Sequence, residues 1–106
     1  MIPAPFTYRR ASSVDEALRV LAEYGDDAKL IAGGHSLLPL MKLRLAAPDV
    51  VVDIGGVGEL RYVRAEGDIV AIGALSRYHD LHGDVVLREH APLLAHVAGS
   101  VGDQQV

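Results

Sequence analysis

The residues with the most chemical potential stand together at positions 31–39, Ile-Ala-Gly-Gly-His-Ser-Leu-Leu-Pro. An apolar run, Lys29 to Ala32, leads into paired glycines and then into a helix-like segment, the layout of a cradle for phosphate. Gly33 and Gly34 reach backbone angles closed to other residues and carry no side chain to keep an anion away. The helix that follows turns its first N–H donors and its positive dipole end toward the same place. Ser36 stands where a hydroxyl either caps that helix or reaches a phosphate oxygen. His35 is either a further donor or a solvated surface imidazole. A double glycine at a strand-to-helix turn also serves as a plain turn, and these residues alone leave the choice open.

Other chemistries fit less well. Gly-His-Ser-Leu-Leu starts like a nucleophile elbow, but Leu38 stands where Gly-x-Ser-x-Gly needs its second glycine, which argues against a serine hydrolase. Gly56-Val-Gly58 follows a strand as a dinucleotide fingerprint would, yet the third glycine would fall at Arg61 and no helical pattern follows, so the segment reads as a linker. His79, His82, His90 and His96 lie on different predicted segments and make no convincing metal-ligand set. With no cysteine in 106 residues, the chain holds no disulfide, thiolate-bound cluster or thiol nucleophile, and redox chemistry would need a bound organic cofactor. A formal charge of −4 and a pI near 5.6 argue against nucleic acid or an anionic membrane as partner. The N-terminus lacks a charged n-region, and no apolar run approaches the roughly 20 residues that span a membrane, so a cytoplasmic location is expected.

The elements that must position the glycine loop are legible in the pattern. At 50% hydrophobic and 23% charged, the chain has the composition of a folded domain, small enough to be marginal in core size. Phe6 to Arg10 alternates like a short strand. Ser13-Val-Asp-Glu16 is a capping box, in which Ser13 serves the Glu16 N–H and the Glu16 carboxylate returns to the Ser13 N–H. Val14, Ala17, Leu18 and Leu21 then make one buried helical stripe that Gly25 ends. A strand over Ala28–Ala32 enters the glycine loop, and a helix over Leu37 to Leu45 leaves it, with Pro39 in the first turn where its missing N–H does no harm. Val50-Val-Val-Asp-Ile reads as a strand buried on both faces. Residues 1–55 thus predict a small β-α-β-α-β subdomain. Beyond Gly55-Gly-Val-Gly58, Leu60–Ala65 and Asp68–Ala74 alternate like a hairpin turning at Glu66-Gly67. Ser76–His82, Val85–Glu89 and Pro92–Ala98 look helical, so residues 59–106 predict the beginning of a second α+β subdomain.

Several motifs carry a resemblance along the whole chain. Phe6-Thr-Tyr-Arg-Arg, Val14-Asp-Glu-Ala-Leu, Ala32-Gly-Gly-His-Ser-Leu-Leu-Pro and Met41-Lys-Leu-Arg-Leu come first. Val52-Asp-Ile, Ile72-Gly-Ala-Leu-Ser-Arg-Tyr and Ala98-Gly-Ser-Val-Gly-Asp-Gln-Gln-Val follow in order. In these the chain resembles the FAD-binding domain of the medium subunits of carbon monoxide dehydrogenase-like molybdenum hydroxylases, in the wider xanthine dehydrogenase family. A Thr-Asp pair tends to stand in xanthine dehydrogenases where His35 and Ser36 stand here, which points to the carbon-monoxide-dehydrogenase-like branch. The resemblance implies an α+β fold of the FAD-binding PCMH type. It implies that Ala32, Gly33, Gly34, His35, Ser36 and Leu37 wrap the FAD pyrophosphate, that Gly73 and Ser76 lie near the flavin, and that Gly99 to Gln105 help shape its cavity. For Gly73 and Ser76 a strand exit with a helix cap explains the residues as well. The implied role is electron transfer by an oxidoreductase subunit with no catalytic acid, base or nucleophile of its own. FAD would pass electrons onward from [2Fe-2S] clusters in a small subunit, and the molybdenum cofactor would sit in a large subunit. In such proteins a second flavin-binding loop follows Gly-Asp-Gln-Gln-Val directly, so the chain is expected to be an N-terminal fragment, inactive alone. The rival expectation is a non-catalytic nucleotide-binding or docking domain of a multisubunit complex.

Overall fold

The unbroken valine run of residues 50–52 forms the middle of a sheet, because β-branched side chains on both faces of a strand need cover on both sides. In a computed structural model that describes residues 2–101, this strand is β3 (Val50–Asp53), and its three valines are buried. It is flanked in parallel by β1 (Thr7–Arg10) and β2 (Ala28–Ile31) in the order β1-β3-β2. The register sets Arg10 and Ile31 on either side of Asp53, so all three strands end at one edge. Parallel neighbours require crossovers, and two helices supply them: α1 (Val14–Tyr24) and α2 (Leu37–Lys42). The β-α-β-α-β order is therefore the one the sequence predicts. Each fully buried valine of β3 contributes about 1.5–3 kcal/mol relative to exposure.

The start of α1 is defined by Ser13, whose hydroxyl accepts the Glu16 N–H at 3.1 Å. The returning half of the capping box differs from expectation. The Glu16 carboxylate reaches one residue further, to the Ser12 N–H at 3.0 Å and the Ser12 hydroxyl at 2.6 Å. These two bonds hold the Glu16 carboxyl below its ordinary range. The buried face of α1 is carried by Ala17 and Val20, while Leu18 is exposed, because the sheet admits only a narrow strip of so short a helix. Gly25 ends the helix at φ 57°, its N–H donating to the Leu21 carbonyl.

Helix α2 stops earlier than its apolar run suggests. Arg44 takes φ 57°, and the N–H groups of Leu45 and Ala46 both turn back to the Leu40 carbonyl, at 2.9 and 3.2 Å. This left-handed turn satisfies the last carbonyls without glycine and ends α2 at Lys42 instead of Leu45. The Arg44 side chain bonds the Ile2 carbonyl at 3.5 Å, so it anchors the N-terminal segment.

The chain divides into two compact units, Met1–Gly58 and Glu59–Val106. In the second, β4 (Val63–Glu66) and β5 (Ile69–Ile72) pair antiparallel with Glu66 opposite Ile69. The turn is consequently Gly67-Asp68, one residue later than expected, because the positive φ of 60° at Gly67 suits the first central position of a tight hairpin. Three short helices follow: α3 (Tyr78–Gly83), α4 (Val85–His90) and α5 (Pro92–Ala98). Asp84 caps α4 by accepting the Leu87 N–H at 2.9 Å. Leu81, Leu87, Ala95 and Ala98 form the core of this unit, with Val63, Val70 and Ile72 of the hairpin packed against it.

Candidate functional site

The two strand exits that bear glycines behave differently. At the carboxyl edge of the parallel sheet, the Ile31 carbonyl accepts the Ile54 N–H at 3.1 Å, which ties the exits of β2 and β3 together. The chain then turns through Gly33 (φ 78°) and Gly34 (φ 82°), two successive residues in the region that side chains disfavour. The Gly34 carbonyl accepts the Leu38 N–H at 3.0 Å, so the helical bonding pattern begins at Gly34. The N–H groups of the residues just after it have no carbonyl behind them.

A capping serine would use one of these donors, but Ser36 makes no side-chain cap bond. Its backbone is already helical (φ −103°, ψ −48°), whereas a capping hydroxyl needs an extended backbone to fold back on the turn. The cap reading of Ser36 is thus overturned. Among the described residues, none of the N–H groups of Gly33, Gly34, His35, Ser36 and Leu37 finds an acceptor. Ala32, Gly33, His35 and Ser36 are exposed and Gly34 is buried. A Cβ on Gly34 would lie 2.7 Å from Leu38 Cδ1, whereas one on Gly33 would meet only His35 Cδ2 at 3.6 Å. Gly34 therefore has no room inward, and Gly33 leaves space outward beside the bare amides. With six residues, α2 contributes little macrodipole, so an anion here would be held by discrete N–H groups. The loop's bare donors, open approach and glycine backbone fit a phosphate or pyrophosphate group.

Gly73 and Ser76 lie at the exit of β5, in the second unit. Their sequence features are accounted for within the chain. A Cβ on Gly73 would run into the Leu60 carbonyl oxygen and stand 2.9 Å from Tyr62 Cδ1. The Gly73 N–H donates to the Tyr62 carbonyl at 2.8 Å, and the Leu75 N–H to the Leu60 carbonyl at 2.9 Å. The missing side chain at Gly73 is what lets two backbone segments meet. Ser76 does not cap α3. Arg77 occupies the cap position, and the Ser76 hydroxyl donates to the Tyr62 carbonyl at 3.3 Å. Of the expected approach to the cavity, Gly102 to Gln105 lie outside the described residues, and the Gly99 site is filled by His82, whose Nδ1 sits 3.1 Å from the Ala95 carbonyl.

One group of residues escaped the sequence reading. Tyr8 and Arg10, two apart on β1, point to the same side as the Asp53 carboxylate at the end of β3. The Tyr8 hydroxyl donates to Asp53 Oδ2, and the Gly55 N–H donates to Oδ1 at 2.8 Å. The Tyr8 bond, then the Gly55 bond, then the Arg10 charge hold the Asp53 carboxyl below its ordinary range. The same carboxylate pushes the Tyr8 phenol up. The i, i+2 spacing on β1 was visible, but only the parallel register sets it beside Asp53. No group of three or more His, Cys, Asp or Glu able to hold a metal occurs among the described residues.

A three-stranded parallel β-α-β-α-β unit whose strand-to-helix turn offers bare amides has the architecture of a phosphate-binding module. The chain belongs to the family of FAD-binding domains in molybdopterin dehydrogenases, which it matches over residues 4–106. It is 48% identical over all 106 residues to the carbon monoxide dehydrogenase medium chain of Hydrogenophaga pseudoflava, and 43% identical to the glyceraldehyde dehydrogenase medium chain of Sulfolobus acidocaldarius. In each case it spans 37% of the relative's length. A carbon monoxide dehydrogenase structure from Hydrogenophaga pseudoflava superposes with a TM-score of 0.91, covering 99% of this chain and 37% of that one. Quinoline 2-oxidoreductase from Pseudomonas putida 86 follows at 0.90 with 35% identity, over 99% and 36% of the two chains. The α+β fold and family expected from the motifs are thus the ones found. Among the described residues, no helix is long and apolar enough to cross a membrane.

Proposed function

We propose that this chain is the pyrophosphate-binding part of an FAD-containing electron-transfer subunit in a molybdenum hydroxylase, with residues 1–55 as the phosphate-binding subdomain and 59–106 opening a second flavin-binding subdomain. The observation that carries the reading is the run of unpartnered amides from Gly33 to Leu37 behind two left-handed glycines. Family membership supplies the ligand, FAD. Ala32 to Leu37 would surround the pyrophosphate, with the N–H groups as donors and the Ser36 hydroxyl, free of any capping duty, as an added one. His35 would donate from the exposed side of the loop. Gly73 and Ser76 would stand near the flavin, Ser76 positioned through its bond to Tyr62.

The isoalloxazine, when bound, supplies the redox chemistry; this chain's residues bind and orient it. No acid, base or nucleophile is assigned. Electrons would reach the flavin from an iron–sulfur small subunit paired with a molybdenum-cofactor large subunit, and the oxidised substrate would be chosen outside this chain.

Gly33→Val and Gly34→Val, made in the flavin-binding subunit that contains this chain, are expected to abolish FAD retention, measured as flavin released per protein. A valine at 33 would project into the space beside the amides, and one at 34 would both collide with Leu38 and strain the backbone. Undiminished flavin in both variants overturns the assignment of the loop. A protein that takes no flavin even after reconstitution favours a docking domain.

A further inference from the structure

The Tyr8, Arg10 and Asp53 group stands at the same carboxyl edge as the glycine loop and has no part in the reading above. Arg10 is directly opposite Asp53 in the register, the arrangement from which an ion pair would be expected. No such pair forms within 4 Å between these two residues. Instead, the two Asp53 oxygens are taken by neutral donors, the Tyr8 hydroxyl and the Gly55 N–H. The Arg10 guanidinium lies against Gly56, three residues past the end of β3, where a Cβ would stand 3.1 Å from Cζ and closer still to a terminal nitrogen. Asp53 is thus hydrogen-bonded by neutral donors, while Arg10 acts on it through its charge and bonds the Tyr8 hydroxyl.

The direction of that side chain matters. The exits of β3 and β2 are joined by the bond from the Ile54 N–H to the Ile31 carbonyl, one residue before the loop begins. Strands in a sheet lie about 4.8 Å apart, so β1 and β2 are separated by about 10 Å across β3. The Arg10 side chain starts at the end of β1 and reaches Gly56, just beyond the end of β3. Its five N–H donors in a planar fork suit a phosphate. In a chain of net charge −4, five bare amides carry only partial charges, and a full positive charge at the same edge is what a dianionic pyrophosphate lacks.

We propose that Arg10, held over Gly56 by the Tyr8–Asp53–Gly55 brace, is a further phosphate-binding residue, supplying the cationic side chain to a pyrophosphate seated on the loop of residues 32–37. The proposal rests on the FAD reading of that loop. Arg10 is the binding residue; Tyr8 and Asp53 are positioning residues.

The test is titration of the flavin-free subunit with FAD and, in parallel, with riboflavin, which carries no phosphate, at several salt concentrations. Loss of one charge-assisted contact predicts that Arg10→Gln raises the Kd for FAD about ten- to a hundredfold and flattens its salt dependence, with riboflavin affinity unchanged. Arg10→Lys should restore the salt dependence and part of the affinity. In Gly56→Ala the new methyl displaces the guanidinium while the charge remains. FAD affinity should fall, with no further loss on adding Arg10→Gln. An unchanged Kd for FAD in Arg10→Gln, or an equal loss toward riboflavin, overturns the proposal while the loop assignment stands. Failure of the unaltered subunit to take FAD overturns the flavin reading and this proposal with it.

Discussion

The exits of β2 and β5 invite comparison, since each runs from a strand through glycine to a serine at a helix start. At Gly33-Gly34-His35-Ser36-Leu37 the chain leaves five N–H groups and a hydroxyl without acceptors among the described residues. At Gly73-Ala74-Leu75-Ser76 the N–H groups of Gly73, Leu75 and Ser76 and the serine hydroxyl are all bonded to backbone carbonyls. Unmade hydrogen bonds are costly in a buried setting and inexpensive in water, and most of the first exit is exposed, with Gly34 its buried member. The lesson is that glycine beside serine has two opposite uses. In one exit it leaves backbone donors open; in the other it closes the backbone on itself.

Substitutions at the second exit should be the most damaging to stability. Gly73→Ala puts a methyl into the Leu60 carbonyl, a backbone atom that cannot swing away. We expect a loss of about 3 kcal/mol, at the upper end of overpacking costs, read as a lower midpoint in urea denaturation. A stability change confined to a few tenths of that would mean the contact relaxes freely, and the contrast between the exits would weaken.

The helix starts sharpen the comparison at smaller scale. Ser13→Ala removes a formed cap on α1 and should cost about 1 kcal/mol. Ser36→Ala removes none, and its effect on stability should fall within about 0.5 kcal/mol, the range of an ordinary surface change. Thermal melts of the two variants side by side would settle the difference; equal losses would show that Ser36 does cap α2.

The smallest effect concerns pH. The Asp53 carboxyl is held below its ordinary 3.8, so the unfolded chain binds the proton more tightly. Its stabilisation is complete above that value and disappears as pH falls through the lower folded one. The Tyr8 phenol is raised from 10.0, so its contribution is present below that value and is lost as pH rises through the folded one. Asp53→Asn should therefore flatten the acid end of a plot of melting temperature against pH, and Tyr8→Phe should reduce both ends. An acid limb unaltered in Asp53→Asn would place the titrating group elsewhere.

Much of this molecule can be read along the chain, because the signals are local. Periodicity and capping residues place α1, the valine run marks the central strand, and the glycine pair marks the loop. The misreadings share a cause. Leu45 looked helical because it is apolar, yet Arg44 turned left-handed to close α2 on Leu40. At Gly73 the sequence does not say that Leu60 returns to it. Tyr8, Arg10 and Asp53 are spread over 46 positions, and nothing local links them.

The order of elements, the family and the glycine loop are written in the chain, since these follow from residue type and spacing within a few positions. Folding in three dimensions settles which donors remain free, which glycine is enclosed by its own backbone, and that Arg10 lies against Gly56 without an ion pair to Asp53. Those outcomes depend on strand register and on distances between residues far apart in the chain. Hydrogen bonds and packing act over a few ångströms in space, whatever the separation in sequence.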